Sequence, residues 1–187
     1  MKHIFGFLAA CLFALSAYAQ TTNGPRTYLE ALETRTNTMI IKGSTEIGVI
    51  HGSAGGVLVA AKESTDASTG QKVFGVSIVV RGREKTQDTS YVDYEELDSM
   101  IKALGLMNTP PWSDTSMPQV EVSYTTKDGL RIASANARNN AGMESLVQST
   151  HACQATACLN VAQLITLRGF IEQAKGKLEG IRPKSAQ

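Results

Sequence analysis

The chain has 187 residues, 18 Lys and Arg against 17 Asp and Glu, and a formal net charge of +1. Its basic residues are scattered, without the concentrated positive field that phosphate backbones require, so nucleic acid is excluded as a partner class. The length fits one domain with enough core to fold without disulfides.

The chain opens with Lys2, an apolar stretch from Ile4 to Leu15, and Ala17-Tyr18-Ala19 in the small-x-small pattern of a cleavage site. A membrane span needs about 20 apolar residues, and this stretch is shorter. Residues 1–19 therefore read as a secretory signal peptide cleaved near Ala19, against the alternative of a buried N-terminal helix. The mature chain is then expected in the periplasm or outside the cell, with no stable membrane span. Losing Lys2 leaves 17 basic and 17 acidic residues.

Residues 20–35 form an N-terminal lead-in, and 27–38 carry no clear period. TNTMIIKG, residues 36–43, has an apolar centre at Met39–Ile41, and Gly43-Ser44 signals a turn. A second strand is expected over 45–52 and a third over 56–63, joined as a hairpin by GSAGG. That glycine cluster lacks the Gly-Lys-Ser/Thr of a phosphate loop. Residues 64–71 are small and polar and read as a loop. KVFGVSIVVRGR, residues 72–83, is the strongest strand, with Val76, Ile78 and Val80 on one face and Ser77, Val79 and Arg81 on the other. Arg81 and Arg83 would share a side of a continuing strand, as a weak anion-binding candidate or as a solvated face.

Tyr94, Leu97, Ile101 and Leu104 recur at helical spacing, with Met100 widening the stripe. Asp93 and Glu96 read as a capping box, and Gly105 as the stop, giving a helix over 94–104. Glu95, Glu96 and Asp98 then favour the helix N-terminus over acid/base chemistry. Residues 108–119, with Pro110, Pro111 and Pro118, are irregular. Trp112 within them is either a ligand-stacking ring or a lid over the core. QVEVSYTT and LRIASAN flank Lys127-Asp128-Gly129 as an antiparallel hairpin. Residues 143–150 suggest another strand. Val161, Leu164, Leu167, Ile171, Ala174 and Leu178 mark a long C-terminal helix, with Asn160 as its cap.

HACQATAC, residues 151–158, contains Cys153 and Cys158, the only thiols left once Cys11 departs with the signal peptide. In an oxidising compartment the leading expectation is a Cys153–Cys158 disulfide. Four residues separate the cysteines, unlike the two of a thiol-exchange motif. A metal reading would use His151, Cys153 and Cys158 as three ligands and need a fourth from His51 or a carboxylate, and His51 otherwise reads as a strand end. There is no Gly-x-Ser-x-Gly and no His-Glu-x-x-His, and no cofactor motif.

YVDYEELDSMIKAL, residues 91–104, together with SYTTKDGLRI, residues 123–132, and IEQAKGKL in the last helix, resembles a group of small, mostly uncharacterised bacterial proteins. They share a Tyr-x-Asp-Tyr-Glu-Glu helix start and a Thr-x-Asp-Gly hairpin. The resemblance covers residues 36–179 and implies a common domain and element order, with no activity or binding residue to carry over.

The expected architecture is a single α+β domain over 36–180, followed by a tail at 181–187. In it a curved, mainly antiparallel sheet carries two amphipathic helices on one face. The expected function is an exported non-catalytic binding or structural module for a small molecule or protein at the cell envelope. Arg81, Arg83 and Trp112 are its candidate contacts. The alternative is a metal-dependent or hydrolytic secreted enzyme using His51 and His151.

Overall fold

The computed structural model describes residues 24–83, 86–108, 115–117, 119–136, 143–149 and 154–182. Helix α1 (Tyr28–Glu33) precedes four strands, β1 (Ile40–His51), β2 (Gly56–Asp66), β3 (Lys72–Arg81) and β4 (Gln87–Asp93). Helix α2 (Leu97–Asn108) leads into β5 (Glu121–Thr125), β6 (Arg131–Asn136), β7 (Met143–Gln148) and β8 (Thr156–Asn160), and α3 (Val161–Ile181) ends the described chain. The fold is α+β, built on two antiparallel four-stranded sheets in the orders β1-β2-β3-β4 and β5-β6-β7-β8. The single sheet expected from the sequence is thus two. They meet where Ala54, in the β1–β2 turn, bridges Cys158 of β8.

Period-two alternation decides which side of the first sheet is the core. Val57, Val59 and Ala61 of β2, Phe74, Val76, Ile78 and Val80 of β3 and Val92 of β4 are buried in one apolar cluster. The same cluster takes Leu164, Leu167, Ile171, Ala174 and Leu178 of α3, spaced to form one face of that helix. Full burial of each such side chain stabilises the fold by about 1.5–3 kcal/mol, which is why α3 survives Gly169 in its interior. Asn160 caps α3 as expected, its side chain accepting from Gln163 N while Gln163 reciprocates.

Helix α2 departs from expectation at both ends. It begins with a 3-10 turn at Tyr94–Glu96 and runs through Gly105 to Asn108. Gly105 faces Arg168, where a Cβ would lie 3.3 Å from Nη1, so it permits helix contact instead of stopping the helix. Contacts of α2 are mainly with α3 and β5, while α3 spans β1, β2 and β3 and also touches β7 and β8. The two helices pack against each other and contribute to the same apolar cluster.

Three further local expectations change. Gly43-Ser44 is no turn, because β1 continues straight through it with Gly43 opposite Glu63 and Ser44 opposite Lys62. Helix α1 occupies the stretch without a clear period and packs Leu29 and Leu32 on the other side of the first sheet, where Gly75 lets Leu29 approach. Strand β3 stops at Arg81, so Arg83 lies beyond it, in a turn closed by Gly82 N–H donating to the Thr86 carbonyl at 2.8 Å.

Candidate functional site

The first sheet has two edges, and the residues around them differ in kind. Strand β4 is met by polar groups from the second half of the chain, one on an outward N–H and the others on its inward face. Tyr91 N–H donates to Asp128 Oδ2 at 2.6 Å, from the turn between β5 and β6. Ser149, just past β7, donates to Asp88 Oδ2 at 2.9 Å and sits 2.9 Å from Ser90 Oγ. Asp88, Ser90, Asp128 and Ser149 are all buried. Buried polar atoms must find partners: Asp88, Ser90 and Ser149 find one another, and Asp128 takes the Tyr91 N–H, across the join between the sheets.

Asp93, at the end of the same strand, does not cap α2. Its carboxylate accepts from Tyr28 N at 2.9 Å and Leu29 N at 3.1 Å, so it serves the N-terminus of α1. Glu96, the other half of the expected box, accepts from Lys127 N at 3.0 Å and from the Tyr124 hydroxyl at 3.4 Å. Both carboxylates are thus drawn away by backbone donors of other elements. Burial, with Glu96 beside it, pushes the Tyr124 phenol up to about 12.

Under α1, on the outer face of the first sheet, lies a compact ionic group. Glu33 pairs with Lys62 at 2.7 Å and Lys42 at 3.2 Å, and accepts from Ser64 at 2.8 Å and Tyr91 at 3.4 Å. Burial alone would raise the Glu33 pKa, but the Lys62 and Ser64 hydrogen bonds and the two ammonium charges together hold it below the usual value. The same burial and the Glu33 charge push Tyr91 up to about 12. Glu33 is saturated with donors. It is not poised as a base, and its role is to fix α1 to the sheet.

The opposite edge is different. Strand β1 is exposed from Ile41 to Glu46, and among the described residues no strand pairs with its outer side. Met39 and Ile41 leave 72% and 59% of their surface in solvent. The ladder to β2 is regular from Ile40 to Glu46 and then shifts between Glu46 and Gly48. Gly48 is required there, because a side chain would run into the Phe170 ring of α3. Thus α3 packs on β1 at the bulge and its last turn flanks Gly43–Thr45 across a hollow, while among the described residues the outward edge of Ile40–Glu46 has no strand partner.

The residues singled out from the sequence are spread apart. Arg81 is exposed at the end of β3, on the face opposite the core, as its alternation implied. Arg83 lines a surface pocket of about 430 Å³ with Ala54, Gly82, Thr86, Gln154, Thr156 and Cys158. Cys158 is a half-buried free thiol in the structure. Cys153, His151 and Trp112 lie outside the described residues. His51 is exposed at the end of β1, where its carbonyl accepts from Gln163 Nε2 at 2.6 Å. Among the described residues no group of three or more His, Cys, Asp or Glu could hold a metal ion. No helix among them is long and apolar enough to cross a membrane.

Sequence reasoning missed the β1 edge because it split that strand at Gly43. The signal that was there is the unbroken stretch Ile40–Glu46 with Lys42, Ser44 and Glu46 at period two. No known protein family, curated protein or solved structure matches this chain.

Proposed function

We propose that this chain is an exported, non-catalytic binding module that takes up an extended segment of a protein partner as an added strand along β1. The observation that carries the reading is the contrast between the edges: on β4 the outward Tyr91 N–H is taken by Asp128, while among the described residues no strand pairs with β1 over Ile40–Glu46. Strand addition uses main-chain hydrogen bonds for affinity and alternate side chains for selectivity. Export is supported by the signal-like pattern of residues 1–19. Cys158, a free thiol in the structure, would form a bridge with Cys153 only on oxidation after export. Arg81 and Arg83, toward the His51 end of the sheet and away from Ile40–Glu46, are a separate candidate contact for an anionic group, and Trp112 a candidate stacking ring.

An NMR titration of the labelled mature chain with peptides selected on it by display tests the reading. Amide shifts concentrated at Ile40–Glu46 are the expected result. Shifts confined to Arg81 and Arg83 would move the site to the outer sheet face, and failure to select any peptide would remove it. Thiol labelling of the denatured, unreduced chain checks the bridge, which is lost if Cys153 and Cys158 both take label.

A further inference from the structure

Resting on that reading, the geometry points to a second copy of this chain as the partner, joined edge to edge through β1 in antiparallel register with Ser44 opposite Ser44. The argument begins with charge. Lys42 and Glu46 lie on the same side of β1, opposite Ser64 and Ala60 of β2, which places both on the outer face with α1. Lys42 shares Glu33 with Lys62, so that ionic group holds two ammonium charges against one carboxylate. Glu46, on the same face, is exposed and has no partner among the described residues. A two-fold axis through Ser44 sets Lys42 of each copy opposite Glu46 of the other. Opposite charges directly across an antiparallel pair attract, and like charges repel. Moving the axis to Lys42 would instead oppose two lysines, and moving it to Glu46 two glutamates.

The inner face agrees with that register. Ile41 opposes Thr65 of β2, on the core side of the sheet, yet is 59% exposed. Thr45 shares that side, and beside it a hollow of about 190 Å³ runs between Gly43–Thr45 and the end of α3 at Leu178 and Ile181. Ile181 is itself 52% exposed. With Ser44 on the axis, Ile41 of the second copy is the diagonal neighbour of Thr45 and lies against this hollow. Diagonal neighbours on a sheet are within reach of long side chains. The bulge after Glu46 ends the regular pairing on both copies, so the joint is short. The two sheets become one eight-stranded sheet with isologous, self-complementary contacts, which close at two copies and leave no β1 edge for a third.

Sedimentation equilibrium of the mature chain across a wide concentration range reads the association directly. The wild type is expected to dimerise. Lys42→Glu alone and Glu46→Lys alone are each expected to remain monomeric, and an equimolar mixture of those two variants to form a heterodimer. Mixing guards against misfolding, since an unfolded variant could not be rescued by the other. In a background with Cys153 and Cys158 changed to Ser, Ser44→Cys should cross-link between chains under mild oxidation. Thr45→Cys, whose opposite position is Gly43, should not. A wild type that stays monomeric at every concentration overturns the inference, as does a dimer that ignores both charge reversals. If the chain is monomeric and selected peptides still shift Ile40–Glu46, only the self-partner falls. If neither association nor shifts occur at β1, the binding reading falls with it.

Discussion

Strands β1 and β4 bound the same sheet and present the same kind of backbone, yet one edge is closed and the other open. The difference lies in what the rest of the chain brings to each. The second sheet delivers Asp128 and Ser149 to β4, and both arrive buried and hydrogen-bonded. On β1, α3 places Phe170 at the Gly48 bulge and its last turn beside Gly43–Thr45 without pairing with the strand's edge, and α1 reaches the Lys42 ammonium through Glu33. An open edge is a template for another chain unless something blunts it, and here the charges that would blunt it are complementary across a two-fold axis.

The largest way to break the contrast is to open β4. Asp128→Ala leaves the Tyr91 N–H without its acceptor at the sheet join, and urea unfolding should show a loss of about 2–3 kcal/mol. Ser149→Ala removes one hydroxyl between Asp88 and Ser90, and the same measurement should show about 1–2 kcal/mol.

The ionic group under α1 sharpens the comparison through pH. The folded-state pKa of Glu33 is lowered, so its stabilisation is present above the ordinary carboxylate pKa and is lost as pH falls through the lower folded value. Wild type should therefore exceed Glu33→Gln in melting temperature at neutral pH, and the two should converge in acid. At the alkaline end the sign reverses. Tyr91 is raised to about 12, so its contribution is full below the ordinary value of 10.0 and lost between there and about 12. Tyr91→Phe should remove that phenol from an ultraviolet titration and reduce the alkaline loss of stability; an unchanged titration would contradict its assignment.

The smallest expected effect on stability is at β1. Ile41→Ser should change unfolding free energy by less than about 0.5 kcal/mol, because the side chain is mostly in solvent, while weakening association. A large stability loss there would mean that the edge is already covered within one chain.

Much of the fold was legible. The α3 stripe and its Asn160 cap, the β3 alternation, the GSAGG hairpin turn and the Asp-Gly hairpin all stand as read, and Gly129 takes a positive φ of 90° in that turn. Strand β4 escaped because its inward positions, Asp88 and Ser90, are polar, and a partner they share, Ser149, comes from about sixty residues on. Helix α1 is too short for a period to emerge, although Thr27 with Glu30 three residues later was a cap signal: Thr27 Oγ1 accepts from Glu30 N at 3.2 Å. Gly43 misled as a turn marker, since a Cβ there would meet only the Glu63 carbonyl, at 3.7 Å, and nothing in the strand demands glycine.

Local pattern by itself determined which segments are helices and strands wherever apolar residues repeat with the period of the backbone, because burial follows that period. It also determined two nearest-neighbour hairpins, since the short connections 52–55 and 126–130 bring their flanking strands side by side. Only the tertiary structure decided that there are two sheets, that Asp93 and Asp128 hold backbone groups of distant elements, and that β4 is closed while β1 is not. Those outcomes depend on hydrogen bonds and ion pairs between residues far apart in the chain, whose partners no local period encodes.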